Sequence, residues 1–174
     1  MVVWIVGDAL SQTMSTFAGQ NYGMGYIDRI KAGLRRAAVM VVAVIALLSG
    51  ALFVGVPYLT RLFVDDAAVI LLASHIMRLY MAPFYTVCCF GNVFGGLVSG
   101  TGDTFWPMVV TLSANCIVKV GFIFTIAQMH HQLGVVIFSY PLAWLTSTIG
   151  FCSLYFFYHR RKLERHGAAL TPAQ

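Results

Sequence analysis

The sequence predicts an all-α membrane protein, a polytopic bundle of about five transmembrane helices. Long stretches without charge recur along the 174-residue chain, only 10% of its residues are charged, and its mean hydropathy is +0.81. Soluble domains carry about 25% charged residues, so this composition excludes an ordinary soluble domain. Because lipid offers no hydrogen bonds to a backbone, stretches of this length are expected to be helices.

Each predicted helix follows from a stretch long enough to cross the roughly 30 Å hydrocarbon layer at about 1.5 Å per residue. The cleanest stretch lies between Arg36 and Arg61 and holds no charge. Asp8 interrupts the first stretch and Lys119 the fourth. The predicted helices cover residues 1–19, 34–60, 67–99, 104–129 and 134–158, followed by a basic tail at 159–174.

The first predicted helix has one polar face. Polar and small residues recur on it at three- and four-residue spacing: Asp8, Ser11, Gln12, Ser15, Thr16 and Gly19. At this spacing they share one stripe, which we expect to face protein or water while the other side faces lipid. The segment from Gln20 to Gly25 is expected to end the helix, because its residues tolerate turn geometry. A linker at 20–36 is predicted to follow.

The third predicted helix combines a cap, a kink and a packing face. Asp65 or Asp66 is expected to cap its start, since aspartate accepts hydrogen bonds from the first free backbone N–H groups. Pro83 is predicted to kink it. Closely spaced glycines let helix backbones approach in lipid, where no hydrophobic force drives association. The glycines of this packing face are Gly91, Gly95, Gly96 and Gly100.

Positive charge gathers on one side of the predicted bundle. The basic residues on that side are Arg29, Lys31, Arg35, Arg36, Arg160, Arg161, Lys162 and Arg165. The opposite turns hold only Arg61. By the positive-inside rule the basic side is cytoplasmic, so the C-terminus is expected in the cytoplasm. This placement indicates membrane topology and argues against a nucleic-acid partner.

Polar groups within the spans are the candidates for function, because a charge in hydrocarbon costs about 2.5–3.5 kcal/mol on insertion scales. The candidates for cavity, substrate or coupling-ion contacts are Asp8, Gln12, Arg78, Asn92, Asn115 and Lys119. Lys119 lies too deep for its ammonium to reach water easily, so it is expected to face a cavity or a carboxylate. A structural interpretation stays open for each of two candidates. Arg78 could simply reach the outer interface, and Asn92 could make only a packing hydrogen bond.

No arrangement of residues indicates an enzyme. The four cysteines, Cys88, Cys89, Cys116 and Cys152, fall within predicted spans without metal-type spacing and are interpreted as small apolar side chains. The histidines are scattered without a cluster, so no metal site is assigned. The glycine-rich turn near Gly100 lacks the strand and the lysine of a P-loop. We therefore expect neither catalysis nor an organic cofactor.

Two turn motifs stand on the basic side. The first runs from Phe17 to Arg29 as FAGQNYGMGYIDR, and the second from Ser99 to Met108 as SGTGDTFWPM. Their turn residues are Gln20, Asn21, Gly23, Gly25, Gly100, Gly102 and Asp103. Both motifs resemble those of the multidrug and toxin extrusion (MATE) transporter family. The resemblance covers nearly the whole chain. It is specific because both motifs occur in order with two spans between them.

This resemblance implies a twelve-helix fold in two lobes around a central cavity, of which the chain would be most of the C-terminal lobe. It implies a multidrug efflux antiporter that exchanges sodium ions or protons for organic, often cationic, compounds by alternating access. The implied location is a bacterial plasma (inner) membrane. The partners would be the bilayer, small organic substrates and the missing N-terminal lobe, with the sodium ion or proton as coupling ion and no cofactor.

The chain departs from the family pattern at two places. Ser99 stands where the family often has arginine before the first glycine of the inner turn. One branch of the family has a cation-binding acid on helix ten, which would fall near Cys88, and this helix has no acid there. The coupling site is then expected in the missing lobe, or at Asp8 in an unfamiliar way.

Two alternative functions stay open. Arg78 and Lys119 together exceed Asp8 by one positive charge, and a positive cavity suits the phosphate of a lipid-linked oligosaccharide flippase in the same superfamily. The missing first lobe favours instead a non-transporting membrane scaffold or remnant. The QNYG and GTGDT turns favour drug export over the flippase, whereas ion-independent association with another membrane protein would indicate a scaffold.

Overall fold

The computed structural model describes residues 2–127 and 133–170, and confirms the all-α prediction. No strand occurs among these residues, and five continuous helices contain nearly all of them. They are α1 Val2–Gly23, α2 Ile27–Arg61, α3 Ala67–Gly100, α4 Phe105–Ile126 and α5 Leu133–Ala169. Helices α2 to α5 are long and apolar enough to cross a membrane, since each contains an 18-residue segment with a mean hydropathy between 1.5 and 2.8. The 22-residue α1 carries the polar stripe.

The first two helices extend further than expected. Helix α1 runs to Gly23 rather than residue 19, and α2 begins at Ile27 rather than residue 34, so the expected linker at 20–36 shrinks to 24–26. Asn21 stays helical and its Nδ2 donates to the Phe17 carbonyl at 2.8 Å. The chain turns only at Gly25, whose φ of 75° is a backbone conformation that glycine adopts easily. Residues 20–23, which were expected to form a turn, therefore continue helix α1.

Helix α5 also passes beyond its expected end at 158. Residues 160–170, predicted as a basic tail, form a helix that lies on the turn between α3 and α4. There Leu163 is fully buried, His159 shares a 2.7 Å hydrogen bond with Thr101 Oγ1, and Lys162 Nζ lies 3.3 Å from Asp103 Oδ2. These contacts order the tail. Residues 24–26, 101–104 and 160–170 form what we call the basic end. The expected end of the fourth helix at 129 lies outside the described residues.

A carboxylate links two helices at the basic end. Glu164 Oε1 lies 3.2 Å from Lys31 Nζ of α2 and 3.3 Å from Arg160 Nε of α5. Glu164 is exposed, beyond the apolar part of α5, and the hydrogen bond from Lys31 lowers its pKa. The rings of Tyr22 and His166 stack with centroids 4.0 Å apart. The ends of α1, α2 and α5 are thus joined by polar and ring contacts.

Three of the helices contain π-helical turns, a feature that often accompanies functional sites. Among the described residues, the turns are Met77–Met81 in α3, Ser113–Val118 in α4, Ile123–Ala127 at the end of α4, and Leu154–His159 in α5. The turn in α3 ends two residues before Pro83, whose missing N–H removes one backbone hydrogen bond of the helix. At the start of α3, Asp66 Oδ1 accepts from the Ala68 N–H at 2.8 Å, which confirms a predicted cap.

Helix α3 lies at the centre of the bundle, where its second half packs against α1, α2 and α5. Its glycines form two contact faces. On one, a Cβ at Gly96 or Gly100 would collide with backbone atoms of Ser11 or Ser15 in α1. On the other, a Cβ at Gly95 would lie 2.9 Å from the Phe151 ring of α5, while Gly91 lies against Thr148. The predicted packing face is confirmed, and it serves two neighbouring helices.

We expect Gly100→Ala to lower the melting temperature of the chain in detergent micelles. The new Cβ meets the backbone of Ser15, which moves only if α1 moves. Overpacking of this kind costs about 1–3 kcal/mol. The matched control is Gly50→Ala, where a Cβ meets nothing within 4 Å and a helical alanine is expected to be neutral or slightly stabilising. Equal melting temperatures for the two variants would contradict the close contact.

Candidate functional site

A cleft of about 670 Å³ opens between α1, α3, α4 and α5. We call it the polar cleft, because polar side chains from all four helices line it. Those side chains are Asp8, Ser11, Gln12, Ser15, Asn92, Ser99, Thr104, Thr111, Asn115 and Ser147. Four of the six sequence-predicted candidates therefore meet in one cavity: Asp8, Gln12, Asn92 and Asn115.

The polar stripe of α1 supplies the charge of the cleft. Asp8 is the only carboxylate among the described lining residues. Gln12 Nε2 donates to Asp8 Oδ2 at 2.8 Å, one helical turn away, whereas Asp8 Oδ1 has no hydrogen-bond donor among the described residues. The Ser11 hydroxyl donates to the Asn92 carbonyl at 2.7 Å and ties the stripe to α3. One carboxylate oxygen is thus oriented and the other is available to a ligand.

Neutral polar groups of α3 and α4 line the same cleft as this carboxylate. Asn115 lies in the Ser113–Val118 π-helical turn, and its Nδ2 donates to the Thr111 carbonyl at 3.0 Å. The Thr111 hydroxyl in turn donates to the Pro107 carbonyl at 2.9 Å. Because these donors bond to their own helix, the amide oxygen of Asn115 remains available. The Asn92 side chain has no hydrogen bond within the described part of the chain, so it too can receive a ligand.

The two positively charged candidates lie elsewhere. Lys119 Nζ stands 3.5 Å from the centroid of the Tyr140 ring, a cation–π contact between α4 and α5. Arg78 Nε donates to the Phe53 carbonyl at 2.8 Å, and its guanidinium lies 5.5 Å from the Phe53 ring centroid, between α3 and α2. Neither residue is among the described lining of the polar cleft. The three charged candidates therefore lie apart: Asp8 lines the polar cleft, Lys119 lies between α4 and α5, and Arg78 lies between α3 and α2.

Aromatic rings surround the end of the cleft that lies away from the basic end. The Trp144 ring centroid is 5.2 Å from that of Tyr85, 6.3 Å from that of Trp4 and 6.4 Å from that of Tyr140. Sequence reasoning missed Trp144 and its neighbour Ser147. Their spacing along α5 was the available signal, because Tyr140, Trp144 and Ser147 recur at four and three residues and so share a face.

The motif residues lie within the basic end or next to it. Gly25 and Gly102 adopt φ values of 75° and 88°, and Asp103 pairs with Lys162. Gly100 contacts Ser15 of α1, whereas Gly23 has open space around its Cα. Gln20 is exposed, and the Asn21 side chain donates to the Phe17 carbonyl of its own helix. These residues shape turns and helix contacts rather than the cleft. Among the residues described, no three His, Cys, Asp or Glu side chains cluster as metal ligands.

The family assignment rests on a direct match. The model of the MatE family matches residues 1–125, which is more than half of the chain and includes both turn motifs. The chain belongs to the MATE family. Members of this family are membrane transporters, so the polar cleft belongs to a transport protein of the MATE superfamily. No match to a curated protein is found.

The matched region of this MATE chain includes α1 to α3 and nearly all of α4. It therefore contains Asp8, Gln12, Asn92 and Asn115, the four candidates that meet in the polar cleft. The aromatic and serine side chains of α5 complete the same cavity from beyond the matched region.

We expect a cysteine at position 99 to react with water-soluble thiol reagents, because Ser99 lines the open polar cleft. The measurement is the rate of labelling by a charged, membrane-impermeant reagent, in a variant whose native cysteines are alanine. Ser49→Cys is the control, since Ser49 is buried between helices. We expect it to react about tenfold more slowly or less, because thiol chemistry requires access to the thiolate. Similar rates at both positions would show that water does not enter the cleft preferentially.

Proposed function

We propose that this chain forms part of a cation-coupled antiporter that exports organic compounds, and that the polar cleft is one wall of its central cavity. The single Asp8 carboxylate, placed among neutral polar side chains, is the observation that carries the proposal. Transporter sites lie near the middle of the bilayer between repeated bundles that rock against each other. The open side of the cleft then faces the other lobe of the transporter.

The chemistry of the cleft favours cationic organic substrates. Asp8 gives the described lining a negative charge, and the rings of Trp4 and Trp144 offer faces that attract organic cations. The volume of about 670 Å³ lies within the roughly 300–1,000 Å³ of small-molecule pockets. A partly apolar cation thus finds both a counter-charge and an aromatic surface.

Asp8 is also the proposed point of ion coupling. A proton or a sodium ion at its carboxylate neutralises the charge that attracts a cationic substrate, so ion and substrate compete for the same group. The amide oxygens of Gln12, Asn92 and Asn115 add neutral oxygen ligands of the kind that hard cations prefer. Competition of this kind couples entry of one cation to release of the other as the lobes alternate.

The orientation follows from charge. With the basic end in the cytoplasm of a bacterium, the C-terminus lies inside and the chain sits in the inner membrane. The turn motifs then lie at the cytoplasmic surface, where short glycine turns hold the ends of α1, α2 and α3 in register. The turn at 62–66 lies on the outer side.

Flippase function is less well supported than drug export. A phosphate-bearing lipid requires positive charge in the cavity, and Lys119 and Arg78 were the residues that suggested it. Both are held by an aromatic ring or a backbone carbonyl outside the described cleft lining. The cleft therefore attracts cations in preference to a lipid-linked phosphate.

We expect Asp8→Asn to lower export of a fluorescent organic cation about tenfold or more, because a charge-assisted contact contributes about 1.5–3 kcal/mol. Export is measured in efflux-deficient bacteria that express the natural gene containing these residues, at matched membrane levels of each variant. The control is Asp28→Asn, which removes an exposed carboxylate near the basic end. Unchanged export in Asp8→Asn would overturn the proposal. Competition by a lipid-linked oligosaccharide, but not by organic cations, would favour the flippase.

A further inference from the structure

A second groove lies between α2, α3 and α5 near the basic end, with a volume of about 690 Å³. Apolar and aromatic side chains form its walls, among them Val39, Val42, Phe90 and Phe94. Phe90 precedes Asn92 by two residues, which places them on roughly opposite faces of α3 because a helix advances about 100° per residue. The groove and the polar cleft are therefore on different sides of α3.

Three cations stand at the end of this groove that is nearer the basic end: Lys31, Arg35 and Arg160. Lys31 and Arg160 share the carboxylate of Glu164. Arg35 is exposed and has no carboxylate or other hydrogen-bond partner within the described residues. Three positive groups against one negative group leave a surplus of positive charge directly beside an apolar surface. We call this combination the basic groove.

We propose that the basic groove binds an anionic phospholipid of the surrounding bilayer, with the phosphate at Arg35 and an acyl chain along the apolar walls. Basic pockets between transmembrane helices recognise phospholipid head groups in this way. From Arg35 to Ala43, the groove side of α2 rises about 12 Å at 1.5 Å per residue, which gives the chain an apolar surface below the cation.

The bilayer is the source that fits both halves of the groove. A free phosphate satisfies the cations but leaves the walls formed by Phe90, Phe94 and Phe156 without a partner. A zwitterionic lipid fits the walls, but its own cation opposes the surplus positive charge. An anionic lipid matches the apolar and the charged part together. This inference does not depend on the proposed transport activity.

Native mass spectrometry of the chain in mild detergent tests the proposal by counting bound lipids during titration. The probes are phosphatidylglycerol and phosphatidylcholine with the same acyl chains, and we expect tighter binding of phosphatidylglycerol. Arg35→Gln is expected to weaken phosphatidylglycerol binding about fivefold, which corresponds to about 1 kcal/mol per arginine near a membrane surface. Arg36→Gln is the matched control: it removes the same charge one residue away, outside the groove, and is expected to change nothing.

A second variant tests the apolar half. Ala38→Phe fills the groove without altering charge, so it is expected to weaken binding of both lipids while the melting temperature without lipid stays near that of the unchanged chain. Glycerol 3-phosphate and inorganic phosphate, added at equal concentration, are expected not to displace phosphatidylglycerol.

Four results would overturn the proposal. Equal losses in Arg35→Gln and Arg36→Gln would show a general surface attraction, and equal binding of both lipids would show no selection of charge. Full displacement by glycerol 3-phosphate would show an anion site that ignores the acyl chain. A dimer that phosphatidylglycerol does not disperse would show that a second copy of the chain covers the groove.

Discussion

The close approach of backbones along α3 is the constraint on which the rest of the structure depends. Helices in lipid gain nothing from burying one apolar surface against another, so packing contacts must hold them together. Gly96 and Gly100 admit α1 to one face of α3, and Gly91 and Gly95 admit α5 to another. Because these contacts leave no room for a Cβ, they fix where α1 and α5 stand. The polar cleft is the space that remains between them, and α4 forms its remaining side.

The charged side chains Asp8, Lys119 and Arg78 within the helices are kept apart from one another. In one cavity, Lys119 or Arg78 would neutralise the charge of Asp8. Instead, the Lys119 ammonium lies over the face of the Tyr140 ring, and Arg78 donates a hydrogen bond to the Phe53 carbonyl of α2. Within the described part of the chain, Asp8 accepts a hydrogen bond only from the Gln12 amide. Its negative charge is therefore not cancelled by a neighbouring cation, which is what attraction of a cationic ligand requires.

The sequence predicted what local spacing determines. The polar stripe of α1, the Asp66 cap and the glycine face of α3 each follow from residues within a few turns of one another. The extension of α1 to Gly23 and the ordered helix at 160–170 were not predicted, because the contacts that stabilise them, such as the stacking of Tyr22 on His166 and the pairing of Lys162 with Asp103, join residues far apart in the sequence. The partner of Lys119 is 21 residues away on another helix. Spacing rules place a residue on a face, but they do not say which neighbouring helix that face meets.

Helix α3 separates two chemically different environments. Asn92 and Ser99 face the polar cleft, whereas Phe90 and Phe94 face the basic groove. A helix that is hydrophobic all round would suit lipid, and a helix with polar residues all round would not remain in the bilayer. Because one helix carries both faces, a ligand in the cleft and a lipid in the groove contact opposite sides of the same rigid element. A movement of α3 caused by a ligand in the cleft would therefore also change the shape of the basic groove.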